Sequence, residues 1–549
     1  MSNFKKVYPL SIMLISSLTI TPVIWNKETV ADWGNHLWLY SNAEPFKFNL
    51  FLGNETIYGY FYPIYSFYGG GFYSLTKSIL SLTQLSNHLA FKLLLCILFN
   101  LWIIGSYLLF KKIFNNGLLS SLLSVSLSTS AYVMTNLFGR AAVTEYAAGA
   151  FSLLLVYFLY TNSYQKKRVS VIRLIILAIL IFLVITTHAI TVMIFMTILF
   201  LFLGPYLLHK LFARSPIPNV HDWFISTLVF VSVCFVASPQ ILRTFILRND
   251  TKVNDALSLD YPSSTIHLHP YNILFSLDRE ATKTTGIDLF VQLPTLFFLL
   301  NTVFIIYLFF VHKKLRRYQK EYVTIYLLFV LTCLLIFIIN NAYMVDNIAI
   351  FKLMQFPYRL LTLITFLIIL LTGFINSLLS RLNSKIGNAV SVLVFIISLI
   401  SVSQAYTQGR NAQSLNFGEN EIASLVSNEV PYTWYSADAF SAPASTNIKQ
   451  EPNYELLKYD GSKLTIRANC ERNLIVLPLK TASWFVEVKP QMMFLGHTSD
   501  NWMVYDCKAN FIDVEVTTQS TQRKVLYFLQ SIGLIILILT IRKVFYAKI

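Results

Sequence analysis

The sequence predicts a polytopic α-helical membrane protein of about twelve transmembrane helices, with a small β-rich extracytoplasmic domain near the C-terminus. Three observations carry that expectation. The 549 residues are 55% hydrophobic and 13% charged, with a mean hydropathy of +0.58, against about 25% charged in an ordinary soluble domain. The apolar residues fall in runs long enough to cross a hydrocarbon core of about 30 Å. The Lys and Arg residues behind the formal net charge of +16 fall in short clusters on alternate connections, as cytoplasmic loops require. That distribution also sets nucleic acid aside as a partner, since no single basic face is indicated.

Taken in order, Lys5 and Lys6 precede an apolar run from Val7 to Trp25. No small-x-small cleavage pattern follows, so the run is read as a retained first helix with its N-terminus inside. The loop 26–86 is then outside, with its weakly apolar part, Phe72 to Leu82, expected along the membrane interface. Further spans are expected at His88 to Phe110, Leu118 to Leu137, Ala141 to Tyr160, Val171 to His188, Ile190 to Leu208, Trp223 to Gln240, Leu289 to Val311, Tyr322 to Asn340, Arg359 to Leu379, Ile386 to Gln404 and Val525 to Ile541. The apolar stretch from Val171 to Leu208 is divided at His188 because it is too long for one crossing. Lys111-Lys112, Lys166-Lys167-Arg168, Lys313-Lys314 and Arg542-Lys543 mark the inner side. Both termini are thereby cytoplasmic and the chain is a multi-pass protein of the plasma membrane.

The expected organisation is a membrane domain over 1–404, an outer β-rich domain over 405–524, and a last helix with a cytoplasmic tail over 525–549. Leu464-Thr465-Ile466, Asn473 to Leu479, Trp484 to Val488 and Ile512 to Val516 carry the strand-like alternation. Cys470 and Cys507 fall in this outer domain, where the sequence is compatible with a disulfide or with two thiols. Cys96, Cys234 and Cys333 lie within apolar spans, and no metal-type cysteine spacing occurs. No internal repeat is visible, which counts against a transporter built from duplicated halves.

Candidate functional residues gather on the outer side. Asp32 and His36, four apart, share a face if helical. Tyr58 and Tyr60 lie in a tyrosine- and glycine-rich run that can fold close against a ligand, although tyrosines also collect at membrane interfaces for their amphipathic rings alone. Arg140 and Arg359 stand at outer helix ends, where topology does not ask for base; their forks suit a phosphate, and lipid-headgroup anchoring is the plainer use. Glu145 is five residues from Arg140, about 140° away on an ideal helix, so the two should not simply neutralise each other. His188 ends its span on the same side.

These residues also carry a resemblance. Asp32-x-x-x-His36, Tyr58-Gly59-Tyr60 with Pro63, Phe67-Tyr68-Gly69, Gly139-Arg140 with Glu145, Thr187-His188 and Gln355-Phe356-Pro357-Tyr358-Arg359 together resemble the bacterial multispanning proteins labelled 6-pyruvoyl-tetrahydropterin synthase-related, a branch of the GT-C glycosyltransferase superfamily. The resemblance covers the chain to about residue 380 and the outer domain only by position and character. It implies a GT-C-like enzyme that takes a sugar from a polyprenyl-phosphate-linked donor and places it on a cell-envelope glycan or lipid acceptor outside the membrane, with Asp32 as catalytic base. Many GT-C enzymes carry two acidic residues in this loop. Here Trp33 and Gly34 follow Asp32, and Glu28 is the nearest other carboxylate.

An inverting displacement needs a carboxylate to take the acceptor's proton and cations to stabilise the leaving phosphate. Asp32 with His36 would fill the catalytic role, Arg140 and Arg359 would hold the donor phosphate, and Tyr58, Tyr60, Glu145 and His188 would bind substrate. The scheme requires no cofactor; a divalent metal would need Asp32, His36 and Glu145 to be brought together. Two other functions fit the same composition. A transporter or flippase of a lipid-linked saccharide would place its charges near the bilayer midplane. A non-catalytic cell-envelope assembly protein would depend on the outer domain and tolerate loss of Asp32.

Overall fold

The computed structural model describes residues 4–27, 30, 33–47, 50, 61, 65, 69–139, 142–164, 170–188, 220–243, 294–311, 318–339, 357–412, 452–459, 461–479, 486–498 and 502–546. These are mostly helical, with a small β-sheet region toward the C-terminus. The helices are α1 (Phe4–Asn26), α2 (Trp33–Asn42), α3 (Gly70–Leu80), α4 (Asn87–Phe114), α5 (Gly117–Ser128), α6 (Ala131–Met134), α7 (Val143–Tyr164), α8 (Val171–Thr187), α9 (Val220–Val236), α10 (Thr295–Phe310), α11 (Gln319–Ile339), α12 (Leu361–Leu382), α13 (Ser384–Asn411) and α14 (Ser520–Tyr546).

Among the described residues, 7 helices are long and apolar enough to cross a membrane, or up to 8 if the bent pair formed by α5 with 131–139 is one span. Every stretch expected to span falls on a helix except Ile190 to Leu208, which lies outside the described residues. The difference from about twelve comes partly from length. Helix α10 has 16 residues, or about 24 Å at 1.5 Å per residue, short of a 30 Å core without its flanks.

Polar residues at the boundaries explain where these helices begin and end. The Ser86 hydroxyl accepts from the Leu89 N–H at the start of α4, and Asn115, at φ 53°, closes its end. Asn116 then caps α5 by accepting from the Leu119 N–H, so α4 and α5 turn back on one another through two residues. The 49° bend after α5 follows a run of Ser and Thr. The Ser126 hydroxyl donates to the Leu122 carbonyl, Thr129 to Val125 and Ser130 to Leu127, and such back-bonding competes with the helix ladder and bends it.

Helix α12 is the centre of the bundle, with 89% of its apolar window buried, against 17% for α11 and α14. A buried amide fastens it: the Asn301 side chain of α10 donates to the Ile368 carbonyl and accepts from Thr372. The peripheral helices instead present Leu327, Val330, Phe337, Phe528, Ile535 and Ile538 outward, the residues a bilayer would solvate.

In the first loop, Phe72 to Leu82 forms most of α3 and part of the 3₁₀ turn Ser81–Thr83 after it, with Phe72 and Tyr73 completely buried and Ile79 and Leu82 exposed. The β region has a four-stranded sheet in the order β1-β2-β7-β4 and a three-stranded sheet in the order β3-β6-β5, all antiparallel. Its strands are β1 (Tyr454–Tyr459), β2 (Lys463–Asn469), β3 (Leu474–Leu477), β4 (Val486–Lys489), β5 (Phe494–His497), β6 (Met503–Asp506) and β7 (Phe511–Thr518). Period-two alternation puts Leu464, Ile466 and Ala468 of β2 and Val514 and Val516 of β7 into one core. Cys470 and Cys507 are joined as a disulfide. Phe61 of the first loop enters this core, with its N–H donating to the Pro478 carbonyl at 2.8 Å.

Candidate functional site

The first loop is built into the helical body rather than laid over it. On α2, Trp33, His36, Leu37 and Tyr40 recur at helical spacing and are buried on one face. The Trp33 indole donates to the Leu137 carbonyl at 2.7 Å, in the π-helical turn Thr135–Gly139. His36 Nδ1 is hydrogen-bonded to the Tyr73 hydroxyl of α3.

The glycine run Gly69-Gly70-Gly71 opens α3 and lets it pack closely. Gly69 has φ +47°, a left-handed backbone that glycine adopts without cost. A methyl group on Gly71 would sit 2.8 Å from Thr186 Cγ2 near the end of α8, so the two helices close together only because no Cβ is present. Thr186 is two residues before His188, the C-terminal cap of α8. Gly69 in turn faces Thr144, the neighbour of Glu145.

Glu145 lies in the first turn of α7, where the helix dipole favours a carboxylate. Its Oε2 is 3.3 Å from Arg359 Nε, and both side chains are only 3% exposed. Glu145 Oε1 accepts from the Tyr132 hydroxyl at 3.2 Å and from the Asn136 amide at 3.3 Å. The π-turn that aims Asn136 at Glu145 is an irregularity often found at functional positions. Arg359 comes from a 3₁₀ turn, Pro357–Leu360, which feeds directly into α12. Among the long apolar helices described, the one with the largest buried share therefore follows directly on this guanidinium.

Of the residues singled out in the sequence, His36, Glu145, His188 and Arg359 are described, and Asp32, Tyr58, Tyr60 and Arg140 lie outside the described residues. Glu145 and Arg359 meet directly. His36 is hydrogen-bonded to Tyr73 of α3, and Gly71 of the same helix packs on Thr186, two residues before His188. The expected relation of Arg140 to Glu145 lies outside the described residues; Glu145, in the first turn of α7, faces Arg359. Among the described residues no three His, Cys, Asp or Glu side chains come together to hold a metal.

Sequence reasoning missed Tyr73, Tyr132, Asn136 and Arg243. Arg243 was open to the same test as Arg140 and Arg359, an arginine just beyond the outer end of an expected span. It ends the helical turn 238–243, is 2% exposed, and donates to the Leu50 carbonyl and the Thr518 hydroxyl at 3.3 and 3.5 Å. Burial pushes its pKa down to about 9, so it remains a cation at neutral pH. Tyr132 and Asn136 gave no comparable signal, since a tyrosine and an asparagine in an apolar run need only a local hydrogen bond. No family model and no curated protein matches this chain.

Proposed function

We propose that this chain is a membrane glycosyltransferase of the GT-C type, with about twelve spans, both ends cytoplasmic and the β region outside. It transfers a sugar from a polyprenyl-phosphate-linked donor to a cell-envelope acceptor on the extracytoplasmic face. The observation that supports this reading is the packing of the first loop into the helical body, with Gly69 against Thr144, the neighbour of Glu145 in the buried Glu145–Arg359 pair. The close approach of Gly71 to Thr186 holds α3 against α8, and the Trp33 indole ties α2 to the π-turn that carries Asn136.

In this scheme Asp32 takes the proton of the acceptor hydroxyl as its oxygen bonds to the anomeric carbon. The bond from that carbon to the phosphate oxygen breaks, and its electron pair leaves with the polyprenyl phosphate. Arg140 stabilises the charge that collects there. Arg359 supplies a second cation whose fork is oriented by Glu145. His36, held by Tyr73, orients the acceptor, and Tyr58, Tyr60 and His188 line the path. The reaction balances without a cofactor.

Asp32→Asn keeps the shape and removes the basicity. Transfer should fall by about 100-fold or more, while the protein still inserts and still binds donor. Mass analysis of envelope glycans, with donor binding measured in parallel, reads both. Near-normal transfer by well-expressed Asp32→Asn would remove the base and put the transporter and assembly readings ahead.

A further inference from the structure

A cavity of about 240 Å³ lies where the four-stranded sheet meets the ends of two helices. Its walls come from three separated parts of the chain. Arg243 ends the turn after α9, Lys463, Glu515 and Thr518 belong to β2 and β7, and Arg523 and Tyr527 open α14. Three cations converge on a space just below the usual range for small-molecule sites. Lys463 is paired with Glu515 at 2.6 Å, and Arg523 with Glu487, which is not part of the lining, at 3.0 Å, so among the lining residues three cations face one carboxylate. Both pairs are partly exposed, 37% with 34% and 30% with 26%, so water weakens them and an anion can share their donors.

The level of the cavity in the molecule indicates what the anion belongs to. Tyr527 and Phe528, in the first turns of an apolar helix, are exposed, as suits rings at a membrane–water boundary. A headgroup at that boundary would reach Arg523 and Lys463 from the lipid side and Arg243 behind them. We infer that this cavity binds the phosphate of an anionic lipid headgroup and so seats the β region on the membrane surface. The inference rests on the membrane setting and not on glycosyl transfer, and the cavity shares no residue with the Glu145–Arg359 cluster.

The test uses the full chain in phosphatidylcholine nanodiscs with and without phosphatidylglycerol, counting retained phosphatidylglycerol by native mass spectrometry. Arg523→Gln and Lys463→Gln should each weaken retention about tenfold, as expected when one charge-assisted contact is lost. Glu487→Gln should strengthen it, because a carboxylate that competes for Arg523 is gone. General loosening of the β region would weaken retention in all three variants, so that pattern overturns the inference, as does equal retention in wild type and variants. Inorganic phosphate is the second arm: displacement of the lipid at equal concentration would assign the site to soluble phosphate and overturn the lipid source.

Discussion

The chain pairs arginine with carboxylate in two settings. In the helical body, Glu145 and Arg359 meet at 3.3 Å with 3% of either side chain exposed, and Tyr132 and Asn136 also donate to the carboxylate. In the β region, Arg467 and Asp513 meet at 2.8 Å, closer, yet about half of each side chain is in solvent. Distance alone would rank the second pair higher. Burial reverses the order, because water screens the exposed charges in either state, whereas removing one buried partner leaves the other without its counter-charge.

The sharpest way to break that comparison is to remove one side of the buried pair. Arg359→Met or Glu145→Leu alone should cost about 3–5 kcal/mol, since each strands a desolvated charge. The double variant Glu145→Leu/Arg359→Met should recover much of that loss, because the desolvation cost of both ions disappears with them. Thermal unfolding of the detergent-solubilised protein measures all three. Single variants as stable as wild type would mean that the pair is hydrated in solution and the contrast with the β region is void.

The contrast also shows what could be read in advance. The body of the fold was legible because apolar length and basic punctuation are local signals: α4 and α12 lie close to where their runs predict them. Strands β2, β3, β4 and β7 were legible from alternation. Strand β1 was not, since Tyr454–Tyr459 carries Glu455 and Lys458 and is mostly exposed; β5 is broken by a register shift at Gly496, and β6 buries Met503, Val504 and Tyr505 in succession without alternation. At the candidate site, Glu145 and Arg359 were visible as residues in need of partners, but their partnership joins distant parts of the chain. Nothing local to Glu145 encodes it: Glu145 lies in the first turn of α7 and Arg359 in the 3₁₀ turn just before α12.

A second, somewhat smaller effect tests how the β region holds together with its paired charges largely at the surface. The Cys470–Cys507 disulfide closes a sequence separation of 37 that contains β3, β4, β5 and β6. Cutting it with Cys470→Ser/Cys507→Ser should cost about 3–4 kcal/mol on the chain-entropy estimate for a loop of this length. Limited proteolysis should then cleave within 452–518 before any helix is attacked. Unchanged resistance would mean that the Leu464, Ile466, Val514 and Val516 core suffices alone.

The smallest expected effect is electrostatic and depends on pH. Burial works against the Glu487 charge, but Lys489 and Arg523 together outweigh it and hold the carboxyl below its ordinary value of 4.5. A group whose pKa is lower in the folded state binds its proton more readily when unfolded. Its contribution is therefore complete above 4.5 and is lost as the pH falls through the lower folded value. Because the side chains of Glu487 and Arg523 are about a quarter to a third exposed, the contribution is a surface one, ~0.2–1 kcal/mol. Melting curves of wild type and Glu487→Gln at neutral pH should differ by this small amount, and at a pH well below the folded value they should coincide. A gap that persists in acid would assign the effect of Glu487→Gln to packing rather than charge, and a gap of several kcal/mol at neutral pH would place this pair beside Glu145–Arg359 and remove the distinction that exposure draws between them.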